Sequence, residues 1–242
     1  MHLVAALRSL VFYAGYALSL LIFTPFCLVF GWMMPIRLRY RFFTLWNHFA
    51  IAWLRVCCGV RVEIDGEENL PPAPYVMAGN HQSPWETIFL YQRYCPLCAI
   101  LKKELLFIPL FGWSLWMLQP IAIDRSKRRE ARGLLLAQGR KRLADGIPVL
   151  VFPEGTRVDP GVEKAWSHGA AELAIQGGVP LVPVAHNAGH FWPARRLVKY
   201  PGTIRLRVGP PLATEGREAR ELTQEANAWV REALATLDAP QH

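Results

Sequence analysis

The spacing of apolar and charged residues divides the chain near Gly59. Residues 9–34 contain no charged side chain, and such a run exceeds the roughly 20 residues that cross a bilayer as a helix. Residues 42–56 form a second apolar stretch, rich in Phe and Trp. We therefore predict two membrane-associating helices over residues 1–58. Two alternatives stay open, a bilayer span and a monotopic module, because Pro25 either kinks a span or splits it.

Arginines flank the apolar run unevenly. Arg37, Arg39 and Arg41 follow it, whereas Arg8 and the amino terminus precede it. If the segment spans, the positive-inside rule puts the remainder of the chain in the cytoplasm. The run is too long for a signal peptide, and no small-residue cleavage site closes it. We therefore expect a membrane protein whose larger part lies on the cytoplasmic face.

Beyond Gly59, short apolar runs alternate with amphipathic stretches. Residues 60–66 alternate apolar and polar positions, as expected of a half-buried strand. A closing helix with one apolar face is predicted after a cap at Thr214. Strands alternating with helices predict an α/β domain over residues 59–242, with a mixed, partly parallel sheet flanked by helices. The other predicted strands are 75–80, 120–124, 149–152, 181–185 and 203–208, and the other helices are 85–94, 127–145 and 165–176.

Composition favours a membrane partner over nucleic acid. Apolar residues make up 52% of the chain and the net charge is +8 at pH 7. A basic protein attracts nucleic acid, acidic membranes or phosphorylated substrates, but no aromatic-basic nucleic-acid motif accompanies this charge. The five cysteines are irregularly spaced. Ordinary thiols are therefore expected, although Cys95 and Cys98 form a CxxC motif.

The first polar motif follows the strand predicted at residues 75–80. His81 ends that strand, and Glu86 lies five residues later in the next predicted helix. A carboxylate on one imidazole nitrogen fixes the tautomer, so the other nitrogen can remove a proton from a hydroxyl. Ser83 is predicted to cap the helix that begins at Pro84. Alone, the motif also fits a turn histidine beside a solvated glutamate.

The second polar motif is a turn after the strand predicted at residues 149–152. Gly155 lets the backbone approach a ligand closely, and Thr156 and Arg157 can donate hydrogen bonds to phosphate oxygens. Glu154 either orients Arg157 or binds a substrate hydroxyl. Alone, this turn also fits a strand end with a surface arginine. Together the two motifs predict one active site with a base and an anion cradle.

Two cations between these motifs are candidates for the same anion or for polarising a carbonyl, namely Lys103 and Arg125. The basic helix at residues 127–145 is interpreted as a solvated face, which in a membrane protein can also attract an anionic leaflet. His186 and His190 resemble metal ligands, but core or surface roles are favoured for both. No metal site is predicted.

Five segments occur in a fixed order: Asn80-His81-Gln82-Ser83, Lys103-Glu104-Leu105, Ile123-Asp124-Arg125-Ser126, Phe152-Pro153-Glu154-Gly155-Thr156-Arg157 and Val182-Pro183-Val184. They resemble the four ordered blocks of the 1-acylglycerol-3-phosphate acyltransferase (lysophosphatidate acyltransferase) family. The resemblance covers residues 60–211. It implies a membrane enzyme that moves a fatty acyl group from acyl-CoA or acyl carrier protein to the sn-2 hydroxyl of 1-acylglycerol-3-phosphate, giving phosphatidic acid. No cofactor and no covalent acyl-enzyme are implied.

By the same resemblance His81 is the general base and Glu86 its partner. Lys103, Arg125 and Arg157 are then expected to hold phosphate or the developing oxyanion. In the family, four residues usually separate the histidine from an aspartate. This chain has Glu86 at that position, and a glutamate side chain is one methylene longer. This departure keeps two alternatives open: another lysolipid acceptor, or a non-catalytic lipid-binding protein. The groove for the acyl chain is predicted to be lined by Phe107, Phe111, Trp113 and Trp116.

Overall fold

The computed structural model describes residues 2–124 and 126–237. Its strands are β1 (Val60–Asp65), β2 (Val76–Gly79), β3 (Cys98–Lys102), β4 (Ile121–Ile123), β5 (Val149–Val151), β6 (Leu181–His186) and β7 (Gly202–Val208). They form one sheet in the order β1-β7-β6-β2-β5-β3-β4. Neighbouring strands are parallel except for the antiparallel pair β6–β7. The predicted mixed, partly parallel sheet is therefore confirmed.

Helices lie on both faces of this sheet. They are α1 (His2–Phe30), α2 (Ile36–Cys58), α3 (Trp85–Arg93), α4 (Phe111–Met117), α5 (Arg128–Ala144), α6 (Gly169–Gly177) and α7 (Ala219–Leu237). Side chains alternate along β2, because successive residues of a strand point to opposite faces. Met77 joins the core cluster that contains residues of α3, whereas Val76 and Ala78 join the cluster that contains residues of α5 and α6.

Two elements differ from the sequence prediction. Thr214 does not cap the closing helix: its hydroxyl donates to the Val179 carbonyl at 3.2 Å, and α7 begins at Ala219. Strand β3 was not predicted, because its short apolar run follows Pro96 and ends on lysine. It is paired on both sides, with β5 and β4, so backbone hydrogen bonds rather than side-chain alternation define it.

The N-terminal helices pack closely on each other. Pro25 lies inside α1 without splitting it. A Cβ added at Gly15 would come within 2.3 Å of Trp53 of α2, so only glycine permits this approach of the two helices. The Trp53 indole donates to the Phe12 carbonyl at 3.2 Å. Within the described residues, one segment, His2–Met33, is long and apolar enough to span a membrane.

Lys199 lies between α1 and the rest of the molecule. Its side chain is 1% exposed, and its Nζ lies 3.3 Å from the ring centroid of Tyr13, 4.6 Å from that of Phe12 and 4.8 Å from that of Trp192. Its backbone N–H donates to the Ser9 hydroxyl at 2.8 Å. An ammonium enclosed by aromatic faces is attracted by their quadrupoles.

Candidate active site

The imidazole of His81 lies just beyond the carboxyl end of β2, where α/β folds commonly place reactive groups. Its Nδ1 is 2.6 Å from Oε1 of Glu86, in the first turn of α3. The histidine is 6% exposed and the glutamate 0%. The pair is thus withdrawn from bulk water, and Nε2 is the ring nitrogen that remains for a substrate.

The start of α3 fixes the position of the Glu86 carboxylate. The Ser83 hydroxyl accepts the Trp85 N–H at 3.0 Å, as the predicted cap requires, and Glu86 Oε1 accepts the Ser83 N–H at 3.0 Å. These bonds are those of an S-x-x-E capping box, except that the Ser83 hydroxyl accepts from the Trp85 N–H rather than from that of Glu86. Burial opposes ionisation of Glu86, but the hydrogen bond from His81, the nearby His186 ring and the Ser83 N–H hold the pKa of its carboxyl below the ordinary value. The helix cap therefore also serves as the anchor of the imidazole.

The second motif packs directly on the first. The Phe152 ring stacks on the His81 ring, with centroids 4.2 Å apart and planes 12° apart. The Val158 N–H donates to the His81 carbonyl at 2.7 Å, and Arg157 Nε donates to the Ser83 carbonyl at 3.2 Å. Glu154 Oε2 accepts the His81 N–H at 3.2 Å. The two sequence motifs, 73 residues apart at the last contact, thus form a single structural unit.

The other predicted substrate contacts occupy different places. Gly155 has φ +70°, and an added Cβ would meet nothing within 4 Å, so the turn needs glycine for its backbone rather than for space. Burial raises the pKa of Glu154 to about 7. Lys103 is exposed at the start of a 3₁₀ turn, Lys103–Phe107, and does not line the cavity beside His81, whereas Lys102 does. Arg125 lies outside the described residues.

An apolar cavity of about 590 Å³ opens beside His81. Phe152, Thr156 and Arg157 line it near the histidine, so a polar end meets a long apolar interior. Two further cations, Lys102 and Arg195, also line it. The apolar part is lined by side chains from α1, α2, α3 and α4, among them Tyr16, Leu20, Phe23, Phe43, Ile88 and Leu115.

The predicted acyl groove is corrected by this cavity. Phe111 lines it, but Phe107, Trp113 and Trp116 do not. These three side chains are 70%, 52% and 68% exposed and face outward. Helix α4 turns only part of its surface toward the cavity, and Phe107 precedes that helix.

Sequence reasoning missed the contacts between β2 and β6. The Asn80 side chain donates to the His186 carbonyl at 2.9 Å and accepts the His186 N–H at 3.0 Å. Asn80 is buried and, through these bonds, joins β2 to β6. Its position immediately before His81 is the only feature of the sequence that points to this role. His190 is exposed at the end of a short 3₁₀ turn. All five cysteines are free thiols, as predicted.

Comparison with known proteins shows which family the chain belongs to. A family described as Acyltransferase matches residues 61–187. The chain is 44% identical to the 1-acyl-sn-glycerol-3-phosphate acyltransferase of Pseudomonas aeruginosa over 98% of this chain and 94% of that protein. It is 32% identical to 1-acyl-sn-glycerol-3-phosphate acyltransferase alpha of Mus musculus over 74% of this chain and 64% of that protein. The crystal structure of the LPA acyltransferase PlsC from Thermotoga maritima, 24% identical, shares the fold with a TM-score of 0.81 over 98% of this chain and 97% of that one. The chain therefore belongs to the 1-acyl-sn-glycerol-3-phosphate acyltransferase family.

Proposed function

We propose that this acyltransferase moves a fatty acyl group from a thioester, acyl-CoA or acyl carrier protein, to the sn-2 hydroxyl of 1-acylglycerol-3-phosphate, giving phosphatidic acid. The relatives' names supply the substrate. The observation that carries the chemistry is the 2.6 Å contact between His81 and Glu86 beside an apolar cavity. A fatty chain requires such an interior, and a hydroxyl nucleophile requires such a base.

In the first step His81 Nε2 accepts the proton of the acceptor hydroxyl. The hydroxyl oxygen bonds to the thioester carbonyl carbon, whose oxygen becomes an oxyanion. Glu86 Oε1 holds the Nδ1–H and stabilises the imidazolium that forms, while remaining ionised itself. This step needs the low pKa of the Glu86 carboxyl, because a protonated carboxyl would not compensate the ring charge.

In the second step the oxyanion collapses and the carbon–sulfur bond breaks. The imidazolium returns its proton from Nε2 to the departing sulfur, so that an ester and a free thiol leave the site and His81 is neutral again. Phe152, stacked on the ring, limits its rotation between the two proton transfers. The acyl group arrives already activated as a thioester, and the reaction of this family needs no cofactor.

The anionic groups of the reaction are assigned to the second motif. Arg157 lines the cavity beside His81 and is tethered through Nε, which leaves its terminal amino groups for phosphate or oxyanion oxygens. Thr156 offers a hydroxyl at the same end. Glu154 and Gly155 shape this turn. Lys103 is assigned to the approach of the phosphate rather than to the cavity, and Arg125 remains a candidate for the same anion.

The membrane surface is assigned to residues 1–58, with residues 59–242 as the acyltransferase domain. Helix α1 packs on α4, so their outward faces adjoin. Both faces carry exposed apolar side chains, including Leu3, Leu7, Leu10, Leu18, Leu21, Ile22 and Phe26 on α1 and Trp113 and Trp116 on α4. Such a surface favours lipid, and it lies next to the cavity that would take the acyl chain.

A cytoplasmic catalytic domain follows from the arginines after α1. Arg39 donates to the carbonyls of Gly31, Met34 and Met117, and therefore stays with the catalytic domain. The side is measured with Leu197→Cys, at a position 76% exposed, in vesicles of known orientation. An impermeant thiol reagent should label it only where the cytoplasmic face is outside, and labelling from the other side would reverse the assignment.

The function is tested by transfer of a labelled acyl group to 1-acylglycerol-3-phosphate in detergent, with acyl-CoA and acyl carrier protein in parallel. We expect phosphatidic acid from the native protein and a loss of about 10²–10⁴-fold in His81→Ala. The matched control is His168→Ala, since His168 is exposed and bonds Thr223 away from the cavity. Equal rates in both variants would remove His81 as the base. No transfer by the native protein to this acceptor, but transfer to another lysolipid, would change the acceptor.

A further inference from the structure

The two oxygens of the Glu86 carboxylate have unequal surroundings. Oε1 accepts from the His81 ring and from the Ser83 N–H. Oε2 is buried without a hydrogen-bond partner among the described residues. An ionised oxygen withdrawn from water without a hydrogen bond is costly, so a polar group beside it contributes to stabilising its charge.

That group is a second histidine. His186 ends β6, is 0% exposed, and has its Nε2 3.8 Å from Glu86 Oε2. The Ala188 N–H donates to its Nδ1 at 3.3 Å, which makes Nδ1 an acceptor and places the ring proton on Nε2. The Nε2–H donates to the Asn80 carbonyl at 2.9 Å and faces Oε2 of Glu86. The ring thus contacts both the residue before His81 and the partner of His81.

We propose that His186 is a positioning residue for the acyl transfer, acting on Glu86 Oε2 by electrostatic attraction across 3.8 Å so that Oε1 stays aligned with His81 Nδ1. This rests on the proposed function. The carboxylate then lies between two imidazoles, hydrogen-bonded to His81 through Oε1 and in electrostatic contact with His186 through Oε2. The contact depends on the longer glutamate, since an aspartate carboxylate would sit about 1.5 Å further back.

Two substitutions separate the nitrogens of His186. His186→Gln puts an N–H donor near the Nε2 position and loses the Nδ1 acceptor, whereas His186→Asn keeps an acceptor near Nδ1 and loses the Nε2–H. We expect His186→Gln to retain kcat within about threefold and His186→Asn to lose about 10- to 100-fold in kcat with little change in KM. If the link to Ala188 were what mattered, the order of the two variants would reverse, which would overturn the proposal.

A double-mutant cycle identifies the route of the effect. In a Glu86→Gln background, which keeps the side-chain size, His186→Asn should cost less than twofold further, because the carboxylate it holds is already gone. An undiminished loss in that background would mean that His186 acts through Asn80 instead, and the proposal would fail. Melting temperatures of all variants are measured alongside. If His186→Asn does not fold, His186→Gln decides, because a full loss of kcat in that folded variant contradicts the proposal.

The same assay keeps this inference apart from the function itself. Native activity and its loss in His81→Ala test the acyltransferase assignment. Activity in the native protein, with equal kcat in His186→Gln, His186→Asn and wild type, would leave the assignment intact and reject the role of His186 alone.

Discussion

Glu86 is 0% exposed beneath His81, and Lys199 is 1% exposed beneath helix α1. The carboxylate receives two hydrogen bonds and lies between two imidazoles, and these partners hold its pKa below the ordinary value despite burial. The Lys199 ammonium contacts three aromatic ring faces and donates one long hydrogen bond, of 3.4 Å, to the Leu197 carbonyl. Burial lowers the pKa of Lys199 from 10.5 to about 7.

The difference separates two uses of a buried ionisable group. Directional donors stabilise the charged form of Glu86, and the proposed mechanism needs a charged Glu86. Ring faces give Lys199 contact area and some attraction, but they do not replace the hydrogen bonds of water. We therefore expect Glu86 to govern activity and the charge on Lys199 to lower the stability of the fold.

The largest effect is expected from removing the partnered carboxylate. Glu86→Ala should lower kcat by about 10²–10⁴-fold, because the imidazolium loses its compensating charge and the ring its orientation. Labelled acyl transfer measures it. Glu130→Ala, which removes an exposed carboxylate of α5, is the control and should stay within twofold. Comparable activity in Glu86→Ala would place the charged pair outside the reaction.

The next effect concerns stability rather than rate. Lys199→Met should raise the free energy of unfolding by about 1–4 kcal/mol at pH 7, since an apolar side chain of similar length replaces a charge without an anionic partner. The unfolded chain binds the proton up to pH 10.5 and the folded chain only to about 7, so the native protein becomes more stable as pH rises through that window. The advantage of the variant should shrink accordingly.

Thermal unfolding in detergent at pH 7 and pH 10 measures that advantage. Lys127→Met, at a position 58% exposed, is the matched control and should change neither value. A variant less stable than the native protein at both pH values would show that the aromatic faces stabilise the ammonium by more than burial costs it. The contrast with Glu86 would then disappear.

A smaller effect is expected from shortening the partnered carboxylate. Glu86→Asp keeps the charge but withdraws it from a 2.6 Å contact, so kcat should fall about 10- to 100-fold while KM changes little. Steady-state kinetics with both acyl donors measure the two constants. An unchanged kcat would mean that the loop before α3 adjusts to either carboxylate. The extra methylene of Glu86 would then not matter for the rate.

Glu154 provides an intermediate case. It accepts the His81 N–H, and burial raises its pKa from 4.5 to about 7. The folded chain therefore holds a proton that the unfolded chain releases, and stability falls as pH rises from 4.5 to about 7. Glu154→Gln should be more stable than the native protein by up to about 3 kcal/mol above pH 7 and equal to it below pH 4.5. Unfolding curves at pH 4 and 8, with Glu130→Gln as control, measure it, and a pH-independent difference would contradict it.

Much of the fold followed from local patterns. Strands β2 and β5 are short, fully buried runs that each end at a polar motif, so both their position and the edge they share were predictable. Strand β3 was not predictable, because its apolar run is short and ends on lysine. Its pairing with β5 and β4 is made by the backbone. Thr214 had the composition of a cap, but a tertiary bond to Val179 takes its hydroxyl.

The meeting of the two polar motifs was predictable, because each follows a buried strand, but the contacts made by His186 were not. Glu86 reaches His81 across one helical turn, and both were identified from spacing. His186 meets Asn80 across 106 residues, a contact set by the order of β6 and β2 in the sheet, and periodicity does not encode strand order. Phe111 lines the cavity and Trp113 does not, and this difference was not predictable because α4 shows no clear apolar side in its sequence.

Helix α1 supplies Tyr16, Leu20, Phe23, Thr24 and Cys27 to the cavity beside His81. The segment proposed to face lipid thus also forms one side of the cavity proposed to take the acyl chain. A fragment cut after residue 58 to obtain a soluble enzyme would lose that side together with the lipid contact. Any attempt to engineer a water-soluble version must therefore rebuild the chamber wall with new side chains, rather than delete the anchor.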